Sequence, residues 1–205
     1  MATNQGVAEA EALISDQESP ESERPMRADA RRNRELLVAA AREVFAEQGV
    51  SASMEAIARK AGVGVGTLYR HFPTRLDVVE AVYEDDVEEL TDAAQRLVST
   101  LEPGPAVNAF FDAFLHYAQT KRTLLTELRQ AFEKNPAFRS RNRERIDAAF
   151  DLVIDRAKNA GAIRDDVSGS DITKLLGPIC TNESLSTDQT KRLMGMILDG
   201  LRVMS

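Results

Sequence analysis

The sequence of 205 residues contains one cysteine and two histidines. A single cysteine excludes an internal disulfide and a structural zinc site built on several thiolates, and two histidines leave a metal ion few ligands. We therefore expect no metal centre and no cofactor.

Long hydrophobic runs are missing as well. No apolar stretch approaches the ~20 residues that span a bilayer, and residues 1–25 lack both the basic start and the continuous apolar segment of a secretory signal. Hydrophobic residues make up 43% and charged residues 29% of the chain, as is ordinary for a globular protein. We expect a cytoplasmic protein with no membrane partner.

The net charge of −7 argues at first against a nucleic-acid partner, but the charge is unevenly distributed. Residues 1–23 carry a net charge of −6 without any lysine or arginine, residues 24–76 carry +5, and residues 77–205 carry −6. The first segment also lacks aromatic residues and is typical of a disordered tail. The basic middle segment is suited to binding a polyanion.

Alternation of polar and apolar residues, the mark of strands, is absent, whereas helical periodicity extends from about Arg31 to the C-terminus. We therefore predict an all-α protein. An apolar stripe from Leu76 to Leu101, spaced by three and four residues, predicts one helix of about seven turns. Further helices follow it, and the last begins at a capping box of Ser186 and Gln189.

Three short helices precede the long one. The first spans about residues 31–48, the second begins at the N-cap residue Ser53 and ends at Gly62, and the third spans about residues 65–72. Two short helices joined by a tight turn in a basic region predict a helix-turn-helix.

The segment IARKAGVGVGTLYRHF carries the specific signs of this motif. Ala58 is small enough for two helices to cross closely, Gly62 tolerates the positive φ of a sharp turn, and Leu68 points back into a small core. The other residues of the third helix can then contact base edges or phosphates. These residues are Val65, Gly66, Thr67, Tyr69, Arg70 and His71.

Residues 31–76, with AAREVFAEQG followed by SMEAIARKAGVGVGTLYRHFPTR, resemble the DNA-binding domain of the TetR family of transcriptional regulators. In the remaining chain the resemblance is limited to general architecture and the phrase AGAIRDDV. It implies a homodimer that places two recognition helices in successive major grooves of a pseudo-palindromic double-stranded DNA operator. It further implies a repressor that an unknown small-molecule inducer releases from DNA.

The charge pattern and the resemblance together predict a domain order. Residues 1–28 would form a disordered acidic tail and a basic arm, residues 29–73 an N-terminal three-helix helix-turn-helix domain, and residues 74–205 a C-terminal helical ligand-binding and dimerisation domain. Independently of the resemblance, Arg24, Arg27, Arg31 and Arg32 suggest that the basic arm extends into the start of the first helix and contacts the DNA backbone or minor groove.

Residue by residue, the family pattern places Ser53 at a helix N-terminus near a phosphate. Val65, Gly66 and Thr67 match positions that meet bases, Tyr69 and His71 match positions that contact phosphates, and Arg75 matches a basic residue at the start of the long helix. Because Gly64 and Val65 replace a polar pair that is common in the family, base reading should depend more on Thr67 and Arg70.

Two further sets of residues are predicted for the C-terminal domain. The ligand pocket would be lined by an aromatic cluster and its neighbours: Phe110, Phe114, Tyr117, Leu128, Phe132 and Phe150. The last two helices would pair with those of a second copy as a four-helix bundle. Their interface residues would be Leu175, Leu176, Ile179, Leu193, Ile197, Leu198 and Leu201.

Two other classes of function fit less well. An enzyme is disfavoured because no nucleophile–base pair, metal cluster or nucleotide-binding loop is recognisable by its spacing, and GVGVG has neither a preceding strand nor a following GK[ST]. A helical interaction module without DNA binding would leave the basic motif unexplained. Salt titration on duplex DNA separates these alternatives, because phosphate binding weakens steeply with salt.

Overall fold

The computed structural model describes residues 20–203, and within this range the chain forms nine α-helices and no strand, which confirms the all-α prediction. The nine helices are α1 (Pro20–Gln48), α2 (Met54–Ala61), α3 (Val65–His71), α4 (Arg75–Thr100), α5 (Pro103–Thr123), α6 (Leu125–Lys134), α7 (Pro136–Asn159), α8 (Gly169–Thr181) and α9 (Thr187–Leu201). None of these helices has the length and apolar character needed to cross a membrane.

The helix ends follow local sequence signals. Ser53 caps α2, and capping boxes begin α4 at Thr74, α8 at Ser168 and α9 at Ser186. The box of Ser186 with Gln189 confirms the sequence prediction. In each box the N-cap hydroxyl accepts an otherwise unpaired backbone N–H of the first turn, so the helix start is stabilised locally.

Helix α1 begins at Pro20, eleven residues before the predicted start at Arg31. The backbone of residues 20–28 is therefore helical where we predicted a disordered tail and arm. Arginine, glutamate, methionine and alanine, which favour helices, fill most of residues 21–35 and contribute to this extension. Residues 1–19 of the predicted tail, and the side chains of Arg24 and Arg27, lie outside what the structure describes.

Packing divides the chain into residues 1–35 and residues 36–205. Within the second unit, one continuous cluster of buried side chains extends from Leu37 to Leu201. Packing alone therefore does not separate the predicted head (residues 29–73) from the predicted body (residues 74–205), and that boundary stays a prediction.

Helix α4 is central to this second unit because it packs against α5, α6 and α7. Its 26 residues confirm the predicted seven-turn helix. Helix α8 packs against α5 and α7, and α9 packs on α8 and α5. The short helices α2 and α3 pack against each other immediately before the start of α4.

Candidate nucleic-acid interface and adjoining cavity

Helices α2 and α3 are joined by a turn centred on Gly62, which has a φ of 71°. This left-handed conformation suits glycine because it has no Cβ to clash with the backbone. The N–H of Val63 donates to the carbonyl of Ala58 at 3.0 Å, which closes the turn, and Ala58 itself is fully buried. At the other end of α2, Ser53 Oγ accepts the N–H of Ala56 at 3.1 Å. The structural roles predicted here are confirmed: Ser53 is the N-cap of α2, Gly62 has a positive φ, and Ala58 is buried. The contact of Ser53 with a phosphate stays a prediction.

Helix α3 divides into a buried and an exposed face. Leu68 and Phe72 are buried, whereas Val65 and Tyr69 are 37% and 44% exposed. Of the other predicted contact residues, Gly66 and Arg70 are exposed and Thr67 and His71 are half-buried. A short helix that exposes this set of side chains on a protein surface can enter a DNA major groove.

Much of the positive charge of the head is already paired within the protein. Lys60 lies 2.6 Å from a carboxylate oxygen of Glu43, and Arg42 contacts Asp85, Asp86 and Glu89 of α4. By contrast Arg70 on α3 and Arg59 on α2 are exposed, and no carboxylate among the described residues lies within ion-pair distance of either. Positive charge without an ion-pair partner is therefore present on the α2–α3 surface, where it can bind phosphates.

The contacts of Arg42 join α1 to α4. Asp86 is only 6% exposed, and its carboxylate lies 2.7 Å from the Arg42 guanidinium. Burial raises the pKa of Asp86 to about 7, although the Arg42 charge acts in the opposite direction. The neighbouring acids Asp85 and Glu89 also raise this pKa, since three carboxylates share one guanidinium.

Arg75, which the family pattern places among the DNA-binding residues, points into the protein. Its guanidinium donates to the backbone carbonyl of Ala52 and to Oε1 of Glu127 at 3.0 Å, and it lies over the ring of Phe45 at 4.9 Å. A half-buried charge needs partners, and these three groups satisfy it within the protein. The prediction that Arg75 contacts DNA does not fit this arrangement; the residue links the start of α2 to α6.

A cavity of about 460 Å³ opens among α4, α5, α6, α7 and α8. Three of the predicted pocket residues line it: Phe114, Tyr117 and Phe132. The other three, Phe110, Leu128 and Phe150, are fully buried and are not among the lining residues, so their assignment to the pocket is corrected. Phe150 packs edge-on against Phe110 and Phe114, at ring distances of 4.9 and 5.0 Å, and forms the core behind the wall.

Apart from Tyr117, the polar residues on this wall were not predicted from the sequence. The hydroxyls of Tyr83 and Tyr117 lie 3.0 Å apart, and burial raises the pKa of both, so they remain neutral donors. The Lys121 ammonium lies over the same two rings, 5.7 and 5.8 Å from their centroids. The signal for Lys121 was available, because it follows Phe114 and Tyr117 by seven and four residues and so shares their helical face.

The predicted dimer residues differ in exposure. Leu175 is 57% exposed, whereas Leu176 and Leu201 are buried in the core of their own chain and are not available to a partner. Half-buried positions are Ile179, Leu193, Ile197 and Leu198. Met196, which sequence reasoning missed, is 69% exposed on α9.

Comparison with known proteins matches both parts of the chain to regulators. A family model described as "Bacterial regulatory proteins, tetR family" matches residues 37–82, and one described as "Transcriptional regulator SbtR-like, C-terminal domain" matches residues 102–203. HTH-type transcriptional regulator UidR of Escherichia coli strain K12 is 28% identical over 158 residues, which cover 74% of this chain and 79% of that protein.

Two more comparisons agree with these matches. HTH-type transcriptional activator FasR of Mycolicibacterium smegmatis is 33% identical over 133 residues, which cover 60% of this chain and 58% of that protein. The crystal structure of TetR transcriptional regulator SCO0520 from Streptomyces coelicolor is 37% identical and covers 84% of this chain and 99% of its own, with a TM-score of 0.73. These relatives are named as regulators and not as enzymes.

Proposed function

Because the chain belongs to the TetR family of DNA-binding transcriptional regulators, we propose that it is a repressor that a small-molecule ligand releases from a pseudo-palindromic operator. The observation that carries the proposal is the exposed face of α3, where Val65, Tyr69 and Arg70 project from a helix fixed in place by buried Leu68 and Phe72. A fixed helix with projecting polar groups is the arrangement that major-groove reading requires.

Base reading and phosphate contact fall to different residues in this proposal. Thr67 and Arg70 read base edges, and Val65 makes an apolar contact with a thymine methyl group. Tyr69, His71 and Ser53 contact phosphates and set the register on the duplex. Gly66 allows the backbone of α3 to approach the DNA, since a Cβ at this position would meet no atom of the protein itself.

Ligand release requires a connection between the cavity and the DNA-binding helices. Helix α6 supplies this connection: Arg129 and Phe132 line the cavity, and Glu127 on the same helix holds Arg75. Arg75 in turn holds the carbonyl of Ala52, immediately before the N-cap of α2. A ligand that shifts α6 would therefore pull on the segment that positions α2 and α3.

The test measures binding of the full chain to duplex DNA from upstream of its own gene by fluorescence anisotropy. Tyr69→Phe should weaken binding to every sequence about equally, because a phosphate contact carries no base information. Arg70→Gln and Thr67→Val should instead change which base pairs are preferred, by roughly 1–3 kcal/mol for each lost base contact. The matched control is Arg96→Gln, at an exposed arginine on α4.

The test also measures how DNA affinity depends on salt and how deletion of the gene changes transcription of a reporter. Affinity should fall by roughly tenfold or more for a fourfold increase in salt if several phosphates are contacted. Deletion of the gene should raise transcription from the bound promoter. Equal losses of affinity on all sequences for Arg70→Gln would contradict its base-reading role. Lower transcription after deletion of the gene would show that the protein is an activator and not a repressor.

A further inference from the structure

The cavity is lined by an excess of positive charge. Four basic side chains reach it, from Lys121, Arg129, Arg139 and Arg143, against one acid, Glu133. Only Arg143 is neutralised in place: its guanidinium pairs with Asp147 at 3.0 Å and donates to Thr173 at 2.8 Å. For the other three cations, the described part of the chain offers no carboxylate within ion-pair distance.

Lys121 is the most unusual of these cations. It is half-buried at the cavity wall. Its ammonium contacts the ring faces of Tyr83 and Tyr117, and no carboxylate among the described residues pairs with it. Burial and the charges of Arg143 and Arg139 lower the pKa of Lys121 to about 8, so it still carries a proton at neutral pH. A desolvated ammonium beside other cations is unfavourable unless an anion compensates it.

The rest of the wall is apolar and aromatic. Phe114, Phe132 and Ile146 line the same space as Lys121, and Leu125 continues the surface on α6. A volume of about 460 Å³ lies in the range of sites for small organic molecules. Tyr83 adds a neutral hydroxyl, which accepts from Tyr117 and retains its own hydrogen for a ligand oxygen.

We infer that this cavity binds an amphipathic organic anion, whose carboxylate or other acid group lies at Lys121 and Arg139 and whose ring system packs on Phe114 and Phe132. The inference rests on the proposed function in one respect, that this cavity is where the effector binds. It names the chemical class of that effector. Neutral and cationic molecules of the same shape would leave the excess positive charge uncompensated, so they are bound more weakly.

The experiment uses probes that share a ring system and differ in charge. The anion 1-anilinonaphthalene-8-sulfonate and its uncharged counterpart N-phenyl-1-naphthylamine both gain fluorescence in apolar sites. Each is titrated into the full-length protein without DNA, and the stoichiometry is measured by calorimetry. We expect one sulfonate probe bound per protomer, at least about tenfold more tightly than the neutral probe. Proflavine, a planar aromatic cation, should not displace it.

Variants of Lys121 separate charge from packing. Lys121→Met keeps most of the side-chain volume and should weaken binding of the sulfonate roughly tenfold while changing the affinity for the neutral probe less than about twofold. Lys121→Arg should restore binding of the anion to within about threefold of the wild type. The matched control is Lys191→Met, at an exposed lysine on α9 that should change neither affinity.

The outcomes distinguish this inference from the proposed function. Equal affinities for the charged and neutral probes, or equal losses of both in Lys121→Met, would overturn the anion class. DNA affinity is measured separately on the same protein preparation without any probe. If the protein does not bind DNA sequence-specifically, the proposed function is overturned and the anion preference is unaffected. If it binds DNA but shows no preference for the anion, the anion class is overturned and the proposed function is unaffected.

Discussion

Two glycines of the α2–α3 segment should respond differently to a side chain: the backbone conformation of Gly62 disfavours one, and that of Gly66 permits one. Gly62 has a φ of 71°, and a side chain in this conformation costs about 1–2 kcal/mol. Gly66 lies within α3 with no atom close to the position of a Cβ, so Gly66→Ala should be tolerated and should raise the free energy of unfolding by up to about 1 kcal/mol. Thermal unfolding followed by circular dichroism measures both changes.

DNA affinity should change in the opposite sense at Gly66. We expect Gly66→Ala to weaken operator binding at least about tenfold, since the added methyl group would stand between α3 and the base edges and a lost base contact costs roughly 1–3 kcal/mol. Gly62→Ala serves as the comparison, because its loss of DNA binding should follow its loss of stability. A more stable Gly66→Ala protein that binds DNA as tightly as the wild type would show that α3 does not approach the DNA at this residue.

Single-residue predictions succeeded where the cause is local. The N-cap Ser53 and the turn residue Gly62 act within four residues of their own position, and the sequence around each contains the whole reason for its role. Arg75 shows the limit: its partners Ala52 and Glu127 lie 23 and 52 residues away. No local pattern reveals that these groups meet, so the contacts of Arg75 within the protein could not be predicted from its position in the motif.

Helix α6 joins two sites that the sequence treats separately. Glu127 holds Arg75 at 3.0 Å, and Arg129, two residues later, lines the cavity. If α6 transmits ligand binding, Glu127→Gln should reduce the ratio between DNA affinities measured without and with 1-anilinonaphthalene-8-sulfonate. We expect a decrease of about fivefold, because a hydrogen bond to a charged group contributes roughly 1 kcal/mol or more.

The direct affinity for the probe decides what such a change means. A coupling role requires that Glu127→Gln alter the ratio while the probe binds the DNA-free protein within about twofold of its wild-type affinity. Glu144→Gln, at an exposed acid on α7, is the matched control. An unchanged ratio with Glu127→Gln would exclude the Arg75–Glu127 contact from the route between the cavity and the DNA-binding helices.

The helices were easier to predict from the sequence than the cavity that several of them enclose. The stripe from Leu76 to Leu101 and the capping box at Ser186 depend on spacing within one segment, so the long helix and the start of α9 were predicted correctly. The cavity is lined by residues of five helices. The aromatic residues predicted to line it differ in depth: Phe114 lines the cavity, whereas Phe110 is fully buried behind the wall. Depth within a packed domain cannot be derived from helical spacing alone.

The chain combines an acidic composition with a surface suited to DNA. Its net charge is −7, yet acids of the body neutralise bases of the head directly, as Asp85 and Asp86 do for Arg42. Arg59 on α2 and Arg70 on α3 are exposed, and no carboxylate in the described part of the chain lies within ion-pair distance of them. The charge of residues 24–76 therefore predicted a nucleic-acid partner, although the net charge of the whole chain is negative.

The proposed pseudo-palindromic operator requires two heads, and the predicted contact between two chains includes exposed apolar residues of α8 and α9. Leu175 and Met196 are 57% and 69% exposed, so both helices present apolar area that a second copy could bury. In a two-fold dimer each substitution occurs twice, so Leu175→Asp should cost roughly 3–6 kcal/mol of association free energy. We expect sedimentation at micromolar concentration to detect a dimer for the wild type and a monomer for Leu175→Asp.

The monomeric variant should still bind a half-site weakly, because its α2–α3 surface is intact, while its affinity for the full operator falls to the half-site value. Leu152→Asp introduces the same charge at a 42% exposed leucine of α7 and should leave the dimer unchanged. If Leu152→Asp dissociates the dimer and Leu175→Asp does not, the interface lies on α7 instead. A wild-type monomer at micromolar concentration would remove the geometric basis for reading a two-fold operator, since one α3 helix occupies one major groove.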